Sequence, residues 1–102
     1  LSTGVNVEEI TTLVTQAQTG DQTAFAKLVR RFQDMAVGYG YGSLGDIQLA
    51  EDAAQEAFIN AYYDIDALKD PAAFPGWFRQ IVFKHIDRMR RGKRIAIVSL
   101  DQ

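Results

Sequence analysis

Residues 46–65 read DIQLAEDAAQEAFINAYYDI, and the apolar side chains of this stretch recur at spacings of three and four. That period places them along one face of an α-helix, which Asp46 is suited to cap. A helix with one apolar face must bury it against other elements, so this stretch predicts a helical core. The apolar face consists of Leu49, Ala50, Ala53, Ala54, Ala57, Phe58, Ala61, Tyr62 and Ile65.

Two helices are predicted before this one from the same periodicity. The first runs from about Val5 to Thr19, and a glycine follows it. The second begins after a cap at Asp21 and carries apolar residues at spacings of three and four before it fades through the glycine-rich residues 38–45. Both helices therefore have one face to pack against the third.

The glycine-rich segment contains GYGSLG at residues 40–45, which literally matches a GxGxxG pattern. A dinucleotide site requires a strand before this turn, whereas a helix precedes it here. We therefore interpret Gly38, Gly42 and Gly45, spaced four and three apart, as positions of close helix packing or of a frayed helix end.

A fourth helix is predicted to start near Pro75 and to end near Arg91, after a loop over residues 64–76. Four helices joined by short loops predict an all-α fold, a compact bundle of about four helices. We assign residues 1–94 to this domain and residues 95–102 to the start of a linker.

The sequence offers few groups for enzyme chemistry. Cysteine is absent, which excludes disulfides, thiolate metal sites and cysteine nucleophiles. The single histidine, His85, falls on an apolar stripe, so we expect a packed histidine and neither a base nor a zinc ligand. An EF-hand loop starting at Asp64 is excluded, because Lys69 and Pro75 stand where glycine and glutamate are required. We therefore expect no enzyme activity, no cofactor and no bound metal.

No apolar run approaches the roughly 20 residues that are needed to cross a bilayer. The sequence therefore predicts a soluble, cytoplasmic protein with no membrane partner.

Charge is divided unevenly along the chain. Residues 1–70 hold four basic and eleven acidic residues, and residues 71–102 hold seven basic and two acidic residues. This division indicates a basic surface for a polyanion beside an acidic surface for a different partner. It is equally consistent with a solvated helix end, where the helix dipole favours cations.

The fourth helix carries its basic residues opposite its apolar stripe, and Phe83 lies among them. Lysine and arginine neutralise phosphates, while an exposed aromatic ring stacks on unpaired bases. This helix therefore predicts a single-stranded nucleic-acid site at Phe83, among Arg79, Lys84 and Arg90. Sequence alone favours the other interpretation of Phe83, in which the first helix covers the ring.

A polar patch, Glu51, Asp52, Gln55 and Glu56, follows the exposed side of the third helix. It is either a solvated face or a docking face for a basic protein, since carboxylates and an amide combine charge with directional hydrogen bonds.

Several segments, in this order, resemble region two of bacterial RNA polymerase sigma factors, above all the extracytoplasmic-function (ECF) group. The segments are GDQTAFAKLVRRFQDMA (20–36), LGDIQLAEDAAQEAFINAY (44–62), FPGWFRQIVFKHIDRMRRGKR (74–94) and VSLDQ (98–102). The resemblance covers about residues 20–102. Its most specific part combines the AED..QEAF core with the aromatic FPGW segment and the arginine cluster that follows.

This resemblance implies a sigma-factor domain that binds the RNA polymerase core and recognises and melts the promoter -10 element in transcription initiation. The β′ clamp helices of the polymerase would contact Asp52, Gln55 and Glu56, with Phe58 and Tyr62 as neighbouring contacts. An anti-sigma factor is a further partner that the resemblance suggests. The competing hypothesis, from another functional class, is a helical protein-interaction module whose basic face binds an acidic partner or an anionic surface.

For promoter DNA, the resemblance points to the loop after the third helix and to the basic side of the fourth, which would contact the non-template strand. Trp77 is expected to pack against the core. Phe78 replaces the second of two tryptophans found in housekeeping members, and Gln80 replaces an arginine common in ECF relatives. Residues 95–102 resemble the start of a linker to a missing C-terminal DNA-binding domain. The candidate DNA-binding residues are Arg79, Phe83, Lys84, Arg88, Arg90, Arg91, Lys93 and Arg94.

Overall fold

The computed structural model describes the backbone of residues 6–100 and the side chains of residues 6–92. Within this range the chain is an all-α bundle, as its periodicity predicts, and the described residues form no strand. The helices are α1 (Val7–Gln18), α2 (Gln22–Leu44), α3 (Ile47–Asp64) and α4 (Phe74–Leu100). Two single 3-10 turns, Ile65–Ala67 and Pro71–Ala73, occupy the connection between α3 and α4.

Short polar side chains fix where three of the helices begin. Asp21 accepts a hydrogen bond from the Ala24 backbone N–H at 3.1 Å, and Asp46 accepts one from Leu49 at 3.1 Å, which confirms both predicted caps. Asn6 caps α1 in the same way through the Glu9 N–H. Each cap satisfies one of the backbone donors that a helix start leaves unpaired. The predicted start of α1 at Val5 lies outside the described residues.

The prediction that α2 fades in its glycine-rich part is wrong, because α2 continues unbroken to Leu44. Only at Gly45 does the backbone turn to the left-handed region, with φ of 66°, and end the helix. The close approach falls at Gly40, which is buried, and a Cβ there would lie 3.0 Å from the Cα of Ala50. Gly38 and Gly42 have open space around them, so they are not packing positions.

The predicted end of the fourth helix near Arg91 is also wrong, because α4 extends to Leu100. A single glycine, Gly92, lowers helix propensity by about 1 kcal/mol and does not interrupt the helix. Residues 95–100 therefore continue α4, and residues 101 and 102 lie outside the described residues. The linker role of residues 95–102 stays a prediction.

An aromatic cluster at the centre of the bundle joins α2, α3 and the start of α4. Phe78 of α4 stacks on Phe58 of α3 with ring centroids 4.6 Å apart, and it also stacks on Phe74 at 5.6 Å. Phe32 of α2 meets both Phe74 and Phe78 edge-on. These four rings are buried, and their mutual contacts hold α2, α3 and α4 together.

Candidate functional site

A groove of about 620 Å³ lies on the surface between α2 and α3. Its apolar walls include large side chains that solvent reaches in this chain, with Tyr63 76% exposed, Ile59 51% and Tyr62 43%. A concave surface with grouped exposed apolar groups is typical of a protein-binding site. The groove is lined by Phe25, Val29, Gln33 and Val37 of α2 and by Glu51, Ala54, Gln55, Phe58, Ile59, Tyr62 and Tyr63 of α3.

Aromatic contacts hold the wall of this groove in place. Tyr62 packs edge-on against Phe25 of α2, with ring centroids 5.2 Å apart, and against Tyr63 at 5.4 Å. The three rings bridge the two helices at one end of the groove. A wall built from rings that already contact one another loses little side-chain freedom when a partner binds.

The predicted clamp-binding residues divide between this groove and its edge. Gln55 is exposed and lines the groove, as does Tyr62. Asp52 and Glu56 are half-buried on α3, and each directly follows a residue that lines the groove, Glu51 and Gln55 respectively. Phe58 differs from the expectation of a partner contact, because it is 9% exposed and its ring stacks on Phe78 in the core. Phe58 belongs to the apolar face of α3, which is where core residues lie. It reaches the groove only as part of its floor.

The basic side of α4 is open to solvent over its described length. Asp87 pairs with Arg90 at 3.4 Å and with Arg91 at 3.1 Å, which orders these two guanidinium groups without burying them. The described cationic side chains on this face are all exposed, whereas those of Lys93 and Arg94 lie outside the described residues. The exposed cations are Arg79, Lys84, Arg88, Arg90 and Arg91.

Phe83 is not covered by α1, so the interpretation favoured by the sequence is wrong on this point. Its side chain is 45% exposed and meets Tyr39 of α2 edge-on, with centroids 5.1 Å apart and planes at 71°. Trp77, by contrast, is half-buried against the core, as predicted, and its ring centroid lies 5.8 Å from that of Phe74. The exposed aromatic of α4 is therefore Phe83.

The loop from Asp64 to Phe74 is anchored to the bundle by a residue that sequence reasoning missed. The Gln18 side-chain amide of α1 donates to the backbone carbonyls of Ile65 at 2.9 Å and Leu68 at 2.8 Å. These contacts join positions 47 and 50 residues apart, so no local sequence pattern indicates them. The first part of the loop is therefore fixed to α1, while its exposed side chains remain accessible to a binding partner.

His85 lies buried at the contact between α4 and α3, as its place on the apolar stripe predicts. Its Nε2 is 3.0 Å from the Asn60 Oδ1, and the Asn60 amide donates to Asp64 at 2.7 Å. Burial lowers the pKa of His85 below its usual value of 6.5, and Lys84 and Arg88 lower it further, while Glu56 raises it.

This lowered pKa predicts that the chain loses stability in mild acid. The unfolded chain takes up a proton on His85 near pH 6.5 and the folded chain resists it, so stability is full above that pH and falls below it. A His85→Gln variant has no group that titrates at this position. We therefore expect its melting temperature to fall less than that of the original chain when the pH is lowered from about 7.5 to about 5.5. If the melting temperature fell equally in the two proteins, titration of His85 would not be the cause of the acid sensitivity.

Among the described residues, no group of histidines and carboxylates is arranged to hold a metal ion. None of the helices that these residues form is both apolar enough and long enough to cross a membrane.

Comparison with known proteins gives one consistent family. A family model described as Sigma-70 region 2 matches residues 28–95. The chain is 41% identical over 81 residues to the ECF RNA polymerase sigma factor SigW of Bacillus subtilis, covering 78% of this chain and 43% of that protein. It is 36% identical over 84 residues to the RNA polymerase sigma-H factor of Pseudomonas aeruginosa, covering 80% of this chain and 44% of that protein. The chain thus spans less than half the length of these relatives.

A solved structure has the same fold. It is an NMR structure of an engineered region 2 of sigmaE in complex with GTAAAA. The two folds superpose with a TM-score of 0.74 at 28% identity, covering 92% of this chain and 97% of the other.

Proposed function

The chain belongs to the Sigma-70 region 2 family, in the ECF group of sigma factors, and from this we propose that it binds the RNA polymerase core and directs it to the promoter -10 element. It acts as a non-enzymatic specificity module in transcription initiation. The observation that carries the proposal is the division of its surface. An aromatic groove between α2 and α3, with carboxylates of α3 at its edge, is separate from an exposed cationic face with a half-exposed Phe83 on α4.

The groove is the polymerase-binding surface in this proposal. An amphipathic helix of the β′ clamp would place its apolar side chains against Ile59 and Tyr63, while its basic groups approach Glu51 and the α3 edge. Gln55 supplies a directional hydrogen bond at the groove. Carboxylates beside an apolar groove steer a basic partner to the correct side of the bundle.

The α4 face and the loop before it contact the -10 element on the non-template strand. The five exposed cations supply salt-dependent affinity for phosphates, and the aromatic ring supplies a surface for unpaired bases. Capture of extruded bases offsets the cost of unstacking and unpairing them, which is a few kcal/mol per base. Melting is therefore favoured where the polymerase holds the DNA against α4.

This role places the chain with the polymerase in the cytoplasm. An anti-sigma factor that covered either surface would inactivate the factor, and is a further proposed partner.

The test is binding of a β′ clamp-helix fragment to the chain. We expect Gln55→Ala and Glu56→Ala each to weaken binding about fivefold, the effect of losing one hydrogen bond or charge contact. Gln48→Ala is the matched control, because Gln48 is exposed on the same helix and does not line the groove. A folded chain that bound no clamp fragment would contradict the docking proposal. If that chain bound an acidic polypeptide through α4, the helical interaction module would replace it.

A further inference from the structure

We infer that Gln18 of α1 is a positioning residue for promoter recognition. It holds the first turn of the loop after α3, Ile65–Ala67, in the orientation that lets this loop distinguish one DNA sequence from another. The inference rests on the proposed function, in which this loop and α4 contact the -10 element. It adds a role in sequence specificity for α1, a helix that lies before the residues 28–95 matched by the family model.

The Gln18 side chain joins the two ends of this turn. A side-chain amide has two N–H groups, and the Gln18 nitrogen donates to the backbone carbonyl of Ile65 at 2.9 Å and to that of Leu68 at 2.8 Å. The Ile65 carbonyl also accepts the Leu68 backbone N–H at 3.1 Å. One side chain from α1 therefore fixes the distance between the beginning and the end of the turn.

The turn has an inner and an outer side. Ile65 is 4% exposed and Leu68 is 9% exposed, so both side chains are buried in the core. Asp66 and Ala67, which lie between them in the chain, are exposed. Because Gln18 holds the backbone on either side of these two residues, the direction in which they face a partner depends on Gln18.

The second turn of the loop, Pro71–Ala73, is held by its own sequence instead. The Asp70 side chain accepts a hydrogen bond from the Ala72 backbone N–H at 3.1 Å, and the Asp70 carbonyl accepts one from Ala73 at 2.9 Å. The first turn has no side-chain cap of this kind. The contact from Gln18 takes the place of a local cap, so only the first turn depends on α1.

Helix α1 is a firm support for this contact. Glu9, near the other end of the helix, forms an ion pair with Arg31 of α2. The apolar face between Glu9 and Gln18 is buried in the core through Ile10, Leu13 and Val14. A helix fixed along its length does not yield when the loop moves, so Gln18 restrains the loop and does not follow it.

The charge of the loop determines which kind of DNA contact it can make. Residues 64–74 carry three carboxylates, those of Asp64, Asp66 and Asp70, and one cation, Lys69. A segment with this balance repels phosphates, so it adds no general affinity for DNA. It can favour one sequence only through contacts with base edges, which require side chains at fixed positions. Loss of the Gln18 contact should therefore lower sequence discrimination and leave phosphate binding by α4 intact.

The test compares two substitutions of Gln18 with the original chain. Gln18→Glu keeps the shape of the side chain, but an ionised carboxylate donates no hydrogen bond. Gln18→Met has a side chain of similar length with neither charge nor a donor. Gln16→Glu and Gln16→Met are the matched controls, because Gln16 is exposed on the same helix, two residues before Gln18.

The first measurement is binding at low salt to the single-stranded hexanucleotide GTAAAA and to each of its single-base variants. We expect the original chain to discriminate about tenfold between bases at one or more positions, the usual cost of a mismatch. Both Gln18 variants should lower this discrimination to below about threefold at one or more of these positions. The dependence of affinity on salt, which reports phosphate contacts, should stay the same. Both Gln16 variants should keep the profile of the original chain.

The second measurement is hydrogen exchange at the Leu68 backbone N–H, which reports the turn itself in the absence of DNA. We expect both Gln18 variants to exchange this hydrogen about tenfold faster, the factor for two hydrogen bonds of ordinary strength. The Gln16 variants should exchange it at the original rate.

Each outcome supports or overturns the inference. If Leu68 exchange is unchanged in both Gln18 variants, Gln18 does not hold the turn and the inference is wrong, whatever the DNA result. If exchange rises while base discrimination is unchanged, or if affinity falls equally for all hexanucleotides, the turn does not set specificity and the inference is wrong, while DNA binding by α4 stands.

Two results with the original chain separate the inference from the proposed function. If it binds all the hexanucleotides equally well, the loop does not distinguish bases and the inference falls, while phosphate binding by α4 stands. If it binds none of them, the inference and the DNA-binding part of the proposed function both fall, and clamp binding remains a separate measurement.

Discussion

Replacement of Phe78 by alanine is expected to lower the free energy of unfolding of this chain by about 3–5 kcal/mol. The Phe78 side chain is fully buried, and its ring contacts three other rings contributed by α2, α3 and the start of α4. Alanine would remove those contacts and leave a cavity that helices fixed on several sides cannot close. Domains of this size are typically stable by about 5–15 kcal/mol, so much of the stability depends on this residue.

Urea unfolding followed by circular dichroism measures this loss. We expect the midpoint for Phe78→Ala to fall by more than about 1 M, from the usual urea dependence of small domains. Phe83→Ala is the matched control on the same helix, since Phe83 is 45% exposed, and it should cost about 1 kcal/mol or less. Similar losses in the two variants would show that the cluster around Phe78 is not the centre of the fold.

The aromatic cluster also explains how one small bundle holds the two proposed binding surfaces in a fixed arrangement. Phe58 contributes to the floor of the α2/α3 groove on one side and stacks on Phe78 of α4 on the other. His85 and Asn60 join the same two helices by a hydrogen bond. The groove and the α4 face are thus fixed relative to each other. In the function we propose, a polymerase bound at the groove therefore meets DNA at a defined position.

Local patterns predicted most of this fold. The spacing of apolar residues placed the buried sides of α2 and α3, and the caps at Asp21 and Asp46 were evident because capping depends on residues only three positions apart. The apolar stripe of α4 likewise placed Trp77 against the core. These features depend on neighbours along the chain, so one sequence contains the information.

Features that depend on distant neighbours were missed or misjudged. Gly40 is needed because Ala50 of another helix approaches it, whereas Gly38 and Gly42 look the same in sequence and face open space. Phe83 is 45% exposed and packs against Tyr39 of α2, a neighbour far away in the sequence. Gln18, which anchors the loop, has no sequence signal for the same reason. Tertiary contacts of this kind require coordinates.

The largest effect on polymerase binding is expected from Tyr63, which lines the groove and is 76% exposed in the unbound chain. Tyrosine is among the residue types whose burial at an interface contributes about 2 kcal/mol or more. We therefore expect Tyr63→Ala to weaken binding of the β′ clamp-helix fragment by about 30-fold, that energy converted to an affinity ratio. Because the side chain is exposed before binding, stability of the free chain should change little.

Two variants make this result specific to the groove. Tyr63→Phe keeps the ring and should bind within about threefold of the original chain, the effect of one solvent-exposed hydroxyl. Tyr41→Ala removes an exposed tyrosine of α2 that lies outside the groove, and its affinity should be unchanged. If Tyr63→Ala bound normally while Gln55→Ala bound weakly, the clamp helix would contact the polar edge of α3 and leave the aromatic end of the groove empty. If Tyr63→Ala alone lost binding, the apolar wall would supply the affinity and the carboxylates of α3 would serve to orient the partner as it approaches.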